Sequence, residues 1–184
     1  LLKTTDVMLD LAHIRPNEAN SPNILFSLHD YFGALRHDYE SSLQEKCLLL
    51  ECQIDSNMPP LLNGKGQLVR KVIANLTENA IRFCAPSGRI RIHAEVAQDQ
   101  THVHVRIEDD GALLSPASVS SLLDPKDVSW LSTAQHPLGD AGVSLSVAHR
   151  LALSIGGRLH HTPTLDKGNM FHFFFPLSPT ERVA

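Results

Sequence analysis

Between residues 89 and 109 the sequence alternates polar and apolar side chains in two successive runs. Ile90, Ile92, Ala94 and Val96 punctuate the first, and Val103, Val105 and Ile107 the second. An extended backbone places every second side chain on one side, so both runs read as strands with a single buried face. The Ala97-Gln98-Asp99-Gln100 segment between them leaves room only for a tight reversal, which makes the pair an antiparallel hairpin. Arg89, Arg91, His93, Glu95, His102, His104 and Arg106 fill the polar phase, so the other sheet face is expected to be at least partly wet.

Helical spacing predicts the partners of this hairpin. The strongest amphipathic pattern covers 66–83; a second helix is expected over 27–46 and a third over 141–155, stopped by Gly156-Gly157. Further strands are expected over 48–54, 158–162 and 170–176, a turn at 55–60 and a short capped helix at 115–123. The order argues for an α+β fold: a two-layer α/β sandwich whose sheet is mixed but mostly antiparallel, with helices on one face. Leu2, Val7, Met8, Leu11 and Ile14 recur at helical spacing until Arg15-Pro16-Asn17 interrupts them. The expected layout is therefore a helix tail at 1–16, a linker at 17–24, the domain at 25–178 and a tail at 179–184.

A formal net charge of -4, with no Lys/Arg run, gives no electrostatic reason to expect a nucleic-acid partner. No apolar stretch approaches the ~20 residues of a membrane span. Cys47, Cys52 and Cys84 are odd in number and lack C-x-x-C spacing, which suits buried free thiols in a reducing, cytoplasmic compartment.

The chemistry concentrates on the 66–83 helix. Asn75 and Asn79 stand four residues apart, so both amides project from one face, while Leu68, Val72, Leu76 and Phe83 form an apolar stripe. Amide oxygens suit a hard cation such as Mg²⁺ that keeps phosphate and water oxygens in its shell. By spacing alone the pair reads more readily as two residues that simply cap or solvate a helix.

Asn75-Leu76-Thr77-Glu78-Asn79-Ala80-Ile81-Arg82-Phe83 resembles the N box of histidine kinases and related ATPases of the Bergerat type. Ile107-Glu108-Asp109-Asp110-Gly111 resembles the first glycine box, Leu122-Leu123-Asp124-Pro125 a remnant of the F box, and Gly139-Asp140-Ala141-Gly142-Val143-Ser144-Leu145 the second glycine box. Gly168-Asn169-Met170-Phe171 is similar to the family's closing strand. The resemblance spans about 24–178, and residues 6–15 look like the end of the preceding dimerisation helix. It implies the catalytic, ATP-binding domain of a sensor histidine kinase, hybrid or membrane-anchored, in two-component signalling. Asn79 would bind Mg²⁺, Asn75 and Arg82 would face the phosphates, and Asp109 would accept from the adenine amino group beside Gly111. Gly142 and Ser144 would lie at the helix N-terminus that receives phosphate, and 124–142 would form the lid.

The implied partners are a dimerisation domain carrying the acceptor His, a response regulator or receiver domain, and another histidine kinase. A homodimer is expected only for the intact protein, with an inner-membrane anchor outside this domain. The sequence departs from the family at Leu113 and Ser144, each standing where a second Gly is usual, at Met170, and in the F-box aromatic missing after Pro125. These departures keep an alternative open: a degenerate pseudokinase domain acting through protein contacts. Chaperone, mismatch-repair and topoisomerase relatives usually carry Glu where this chain has Asn75, which favours the kinase branch.

Overall fold

The computed structural model describes residues 21–115, 117, 119, 120, 123, 140–165 and 168–177. In chain order the elements are β1 (Ile24–Phe26), α1 (Leu28–Asp38), α2 (Glu40–Glu45), β2 (Leu49–Ile54), β3 (Leu62–Gly64), α3 (Gly66–Phe83), β4 (Arg89–Val96), β5 (His102–Asp109), α4 (Asp140–Ser154), β6 (Arg158–Pro163) and β7 (Asn169–Pro176). The alternating runs become β4 and β5, paired antiparallel from Ile90↔Asp109 to Val96↔Val103. Asp99 closes their turn by accepting from the amides of Thr101 and His102, and Gln100 takes a left-handed conformation.

The main sheet runs β2-β4-β5-β7-β6, with β2 parallel to β4 and the other neighbours antiparallel. Helices α1, α3 and α4 lie on one face, where Ile90, Ile92, Val103, Val105, Ile107 and Phe173 are almost completely buried. The mixed two-layer sandwich is therefore as the sequence predicts.

The opposite face carries charge and imidazole. Arg91 pairs with Glu108 at 2.7 Å, and His104 lies 3.1 Å from both Glu95 and His172. The face is partly wet as expected, and its imidazoles stack: His104 on Phe174 with ring centroids 4.1 Å apart, and His172 on His160 at 4.7 Å.

Other details differ from the periodicity. The 27–46 helix breaks at Tyr39, whose hydroxyl donates to Glu78 on α3 at 2.9 Å and pins the joint. β1 starts at the last residue of the expected linker and β3 lies between the expected turn and α3; together they form a two-stranded ribbon, with Phe26 opposite Leu62. Strands this short show too few alternations for a period to emerge. Cys84 is buried and Cys52 half-buried, but Cys47 is exposed, contrary to the expectation for all three: it sits at a left-handed turn (φ 53°) from which Lys46 reaches α3 instead.

Candidate functional site

The apolar stripe of α3, including Leu68, Val72, Ile73 and Leu76, seats the helix on the sheet and against α4. That seating carries Asn79 to the edge of the core, where it is 8% exposed. Its amide is bonded to no described residue, and since no buried side-chain nitrogen or oxygen among them lacks a partner, its polar end still reaches solvent. Asn75, one turn earlier, is half-buried, and Arg82 is exposed in the last turn. Lys46 donates to the Ile81 and Arg82 carbonyl oxygens at 2.9 and 2.6 Å, satisfying the helix C-terminus.

At the end of β5 two consecutive carboxylates diverge, as strand geometry requires. Asp110 accepts from the Arg89 amide at 2.9 Å and closes the ladder with β4. Asp109 turns to the helix side and is 3% exposed. Its Oδ1 accepts from the Gly111 amide at 2.8 Å and from Asn169 Nδ2 at 3.2 Å, while Oδ2 has no partner among the described residues. Burial raises its pKa to about 6 against the opposing effect of those two hydrogen bonds, with Asp110 and Glu108 adding repulsion. The result is an acceptor with one oxygen fixed and one open.

Two glycines make this corner possible. A Cβ on Gly111 would stand 2.5 Å from Asp109 Oδ1 and 2.6 Å from the Phe83 carbonyl oxygen, and one on Gly168 would overlap the Asp109 carbonyl oxygen. Gly111 thus brings the strand end against the end of α3, with Cys84 bridging to it, and links the N-box helix to the first glycine box.

Asn169 is the residue of this corner whose role as an anchor for Asp109 the sequence does not single out. It is 1% exposed and is the register partner of Asp109 across β5 and β7. Besides Asp109, its amide donates to the Ala112 carbonyl at 3.0 Å, while its oxygen accepts from the Leu114 amide at 2.9 Å and lies 3.1 Å from His161 Nε2. An Asn after Gly between two strands reads as turn chemistry; only the β5–β7 register exposes its reach.

Gly142 is buried and Ser144 half-buried in the first turns of α4, which runs one residue earlier at each end than the expected 141–155. The lid expected over 124–142 and the F-box remnant fall almost wholly outside the described residues, as do 116, 118, 121 and 122 of the helix expected over 115–123. Among the described residues no group of three or more His, Cys, Asp or Glu side chains is placed to hold a metal, and none of their helices is long and apolar enough to cross a membrane.

A helix-backed mixed sheet, with an amide-bearing helix bridged to a strand that ends in a buried carboxylate, defines an ATPase domain of the Bergerat type. Residues 64–179 match the Histidine kinase-, DNA gyrase B-, and HSP90-like ATPase family, and the chain belongs to it, in the histidine kinase branch. It is 32% identical over 128 residues to Sensor protein TorS of Escherichia coli (strain K12), covering 70% of this chain and 13% of that protein. It is 27% identical over 177 residues to Sensor histidine kinase RcsC of the same strain, covering 96% of this chain and 18% of that protein. The chain thus spans less than a fifth of either relative.

Among solved structures, the nucleotide-free catalytic domain of histidine kinase ThkA superposes with a TM-score of 0.69 at 18% identity, covering 84% of this chain and 95% of that one. Full-length ShkA in complex with AMPPNP gives 0.70 at 19% identity, covering 86% and 32%. These likenesses show the fold. The pseudokinase alternative finds no support among these relatives.

Proposed function

We propose that this domain binds Mg²⁺-ATP and supplies the phosphoryl group for a His on a dimerisation domain of the same protein, from which a response regulator or receiver domain takes it. The observation that carries the reading is the Asp109 carboxylate, almost fully buried, with Oδ2 left without a partner among the described residues. An open carboxylate oxygen at the mouth of a largely buried corner suits an exocyclic amino group, whose N–H it can accept.

The Asn79 amide, bonded to none of the described residues, fits a hard cation, with Asn75 and Arg82 on the phosphate side. Mg²⁺ would supply charge neutralisation at the phosphates. The chain's own part is to hold the base at Asp109 and Gly111, and to offer the first turns of α4, with Gly142 and Ser144, to the phosphate anion. Residues 25–178 would form this catalytic unit, with 1–16 the tail of a dimerisation helix, 17–24 a linker and 179–184 a tail. The intact protein would be a homodimer working at the cytoplasmic side of an inner membrane. Pairing with another histidine kinase is a further contact of that assembly.

Titration calorimetry with ADP and a non-hydrolysable ATP analogue, with and without Mg²⁺, tests the reading. Binding that strengthens with Mg²⁺, and loses that dependence in Asn79→Ala, is the expected result. No heat from a folded sample would defeat the nucleotide assignment, and an unaltered Mg²⁺ response in the variant would defeat the metal role of Asn79.

A further inference from the structure

Four contacts define the orientation of the Asn169 amide. The Leu114 backbone N–H can only donate, so the atom facing it at 2.9 Å is the side-chain oxygen. The Ala112 carbonyl can only accept, so the atom facing it at 3.0 Å is the nitrogen. With the amide fixed in this sense, Nδ2 also donates to Asp109 Oδ1. His161 Nε2, 3.1 Å from the amide oxygen, must then carry its proton and donate. His161 is half-buried on the inner side of β6, its ring tilted against Phe171, its register partner, at 5.0 Å. The three side chains therefore run across neighbouring strands β6, β7 and β5 in one line: His161 to Asn169 to Asp109.

We infer that His161 is a positioning residue for base recognition: by donating to Asn169 it holds the amide that holds Asp109 Oδ1, and so keeps Oδ2 aimed at the nucleotide base. The inference rests on the base-binding reading of Asp109, but its first consequence needs no nucleotide. The Asn169 donor stabilises the ionised form of Asp109 against burial, so loosening the amide raises the Asp109 pKa further. Neighbouring Asp110 and Glu108 act on the same carboxylate but are not bonded to His161. Burial favours the neutral form of His161, which still donates from Nε2, so the line stays intact at neutral pH.

The test compares wild type, His161→Leu and His161→Gln. Leu keeps an apolar surface for Phe171 and removes the donor; Gln keeps a donor. Carbon-13 NMR of the Asp109 carboxyl, without nucleotide, is expected to show a higher titration midpoint in the Leu variant and a wild-type midpoint in the Gln variant. ADP affinity is expected to fall roughly three- to tenfold in the Leu variant, the scale of one hydrogen bond, and to recover in the Gln variant. An Asp109 midpoint unchanged in the Leu variant overturns the inference whatever nucleotide does, as does a shift that Gln fails to restore. A shifted midpoint with no ADP binding by wild type would leave the positioning intact and overturn the nucleotide reading instead.

Discussion

Lys46 Nζ lies 2.6 Å from the Arg82 carbonyl oxygen and 2.9 Å from that of Ile81, so a lysine in the α2–β2 loop caps the helix that bears the N box. A cation at a helix C-terminus answers both the unpaired carbonyls and the dipole. Lys46→Met is expected to lower stability by about 1 kcal/mol, with faster amide exchange confined to the end of α3. Thermal melts and hydrogen exchange measure the two effects; exchange spread evenly over the domain would contradict a local cap.

Gly111 is required by space. The Cβ of Gly111→Ala would press on the Phe83 carbonyl oxygen and on Asp109 Oδ1, and the cost of such overpacking is about 1–3 kcal/mol. Denaturant unfolding should show a loss in that range together with weakened ADP binding. Wild-type stability would mean that the strand end and α3 do not meet as closely as found.

Nucleotide affinity should depend on acidity through Asp109. Burial raises its pKa to about 6, so the carboxylate gains a proton as pH falls through that value and stops being a plain acceptor. ADP affinity is expected to drop below pH 6, approaching about tenfold per unit. Measuring Asp109→Asn alongside cancels the titration of the phosphate itself. Parallel profiles for the two proteins would remove Asp109 from base recognition.

The imidazoles of the open sheet face predict a different acid response. Burial, followed by the neighbouring His160 and His104, lowers the His172 pKa from 6.5 to about 4. The unfolded chain therefore binds more protons than the folded one between pH 6.5 and about 4, and stability falls as pH drops through that window. His172→Phe keeps a ring against His160 and is expected to flatten the decline in melting temperature from pH 7 to pH 5. An equally steep decline would place the acid sensitivity elsewhere.

The sequence made the hairpin, α3 and the mixed sandwich legible because each rests on a long, regular alternation or helical stripe. The ribbon of β1 and β3 escaped notice because its strands hold three residues each. The parallel pairing of β2 with β4 was equally silent, since neighbours in a sheet are chosen by packing and not by local pattern. In the site, Asn79 and Asp109 could be found because they lie in segments that resemble family boxes. The parts of Asn169 and His161 could not: although Asn169 lies in a segment similar to the family's closing strand, its contact with Asp109 depends on the register between β5 and β7, distant in the chain, and that of His161 on the bond to Asn169.

The place of β7 between β5 and β6 has a consequence for how the domain comes into being. The hairpin of β4 and β5 can close as soon as it is made, but Asp109 meets Asn169 only when a stretch from the far end of the chain is inserted beside it. On a ribosome, the N-box helix and the carboxylate would emerge early as an unfinished half-sheet with one edge bare. The base corner would exist only once β7 has cleared the exit tunnel, so nucleotide could not engage this corner on a partly synthesised chain.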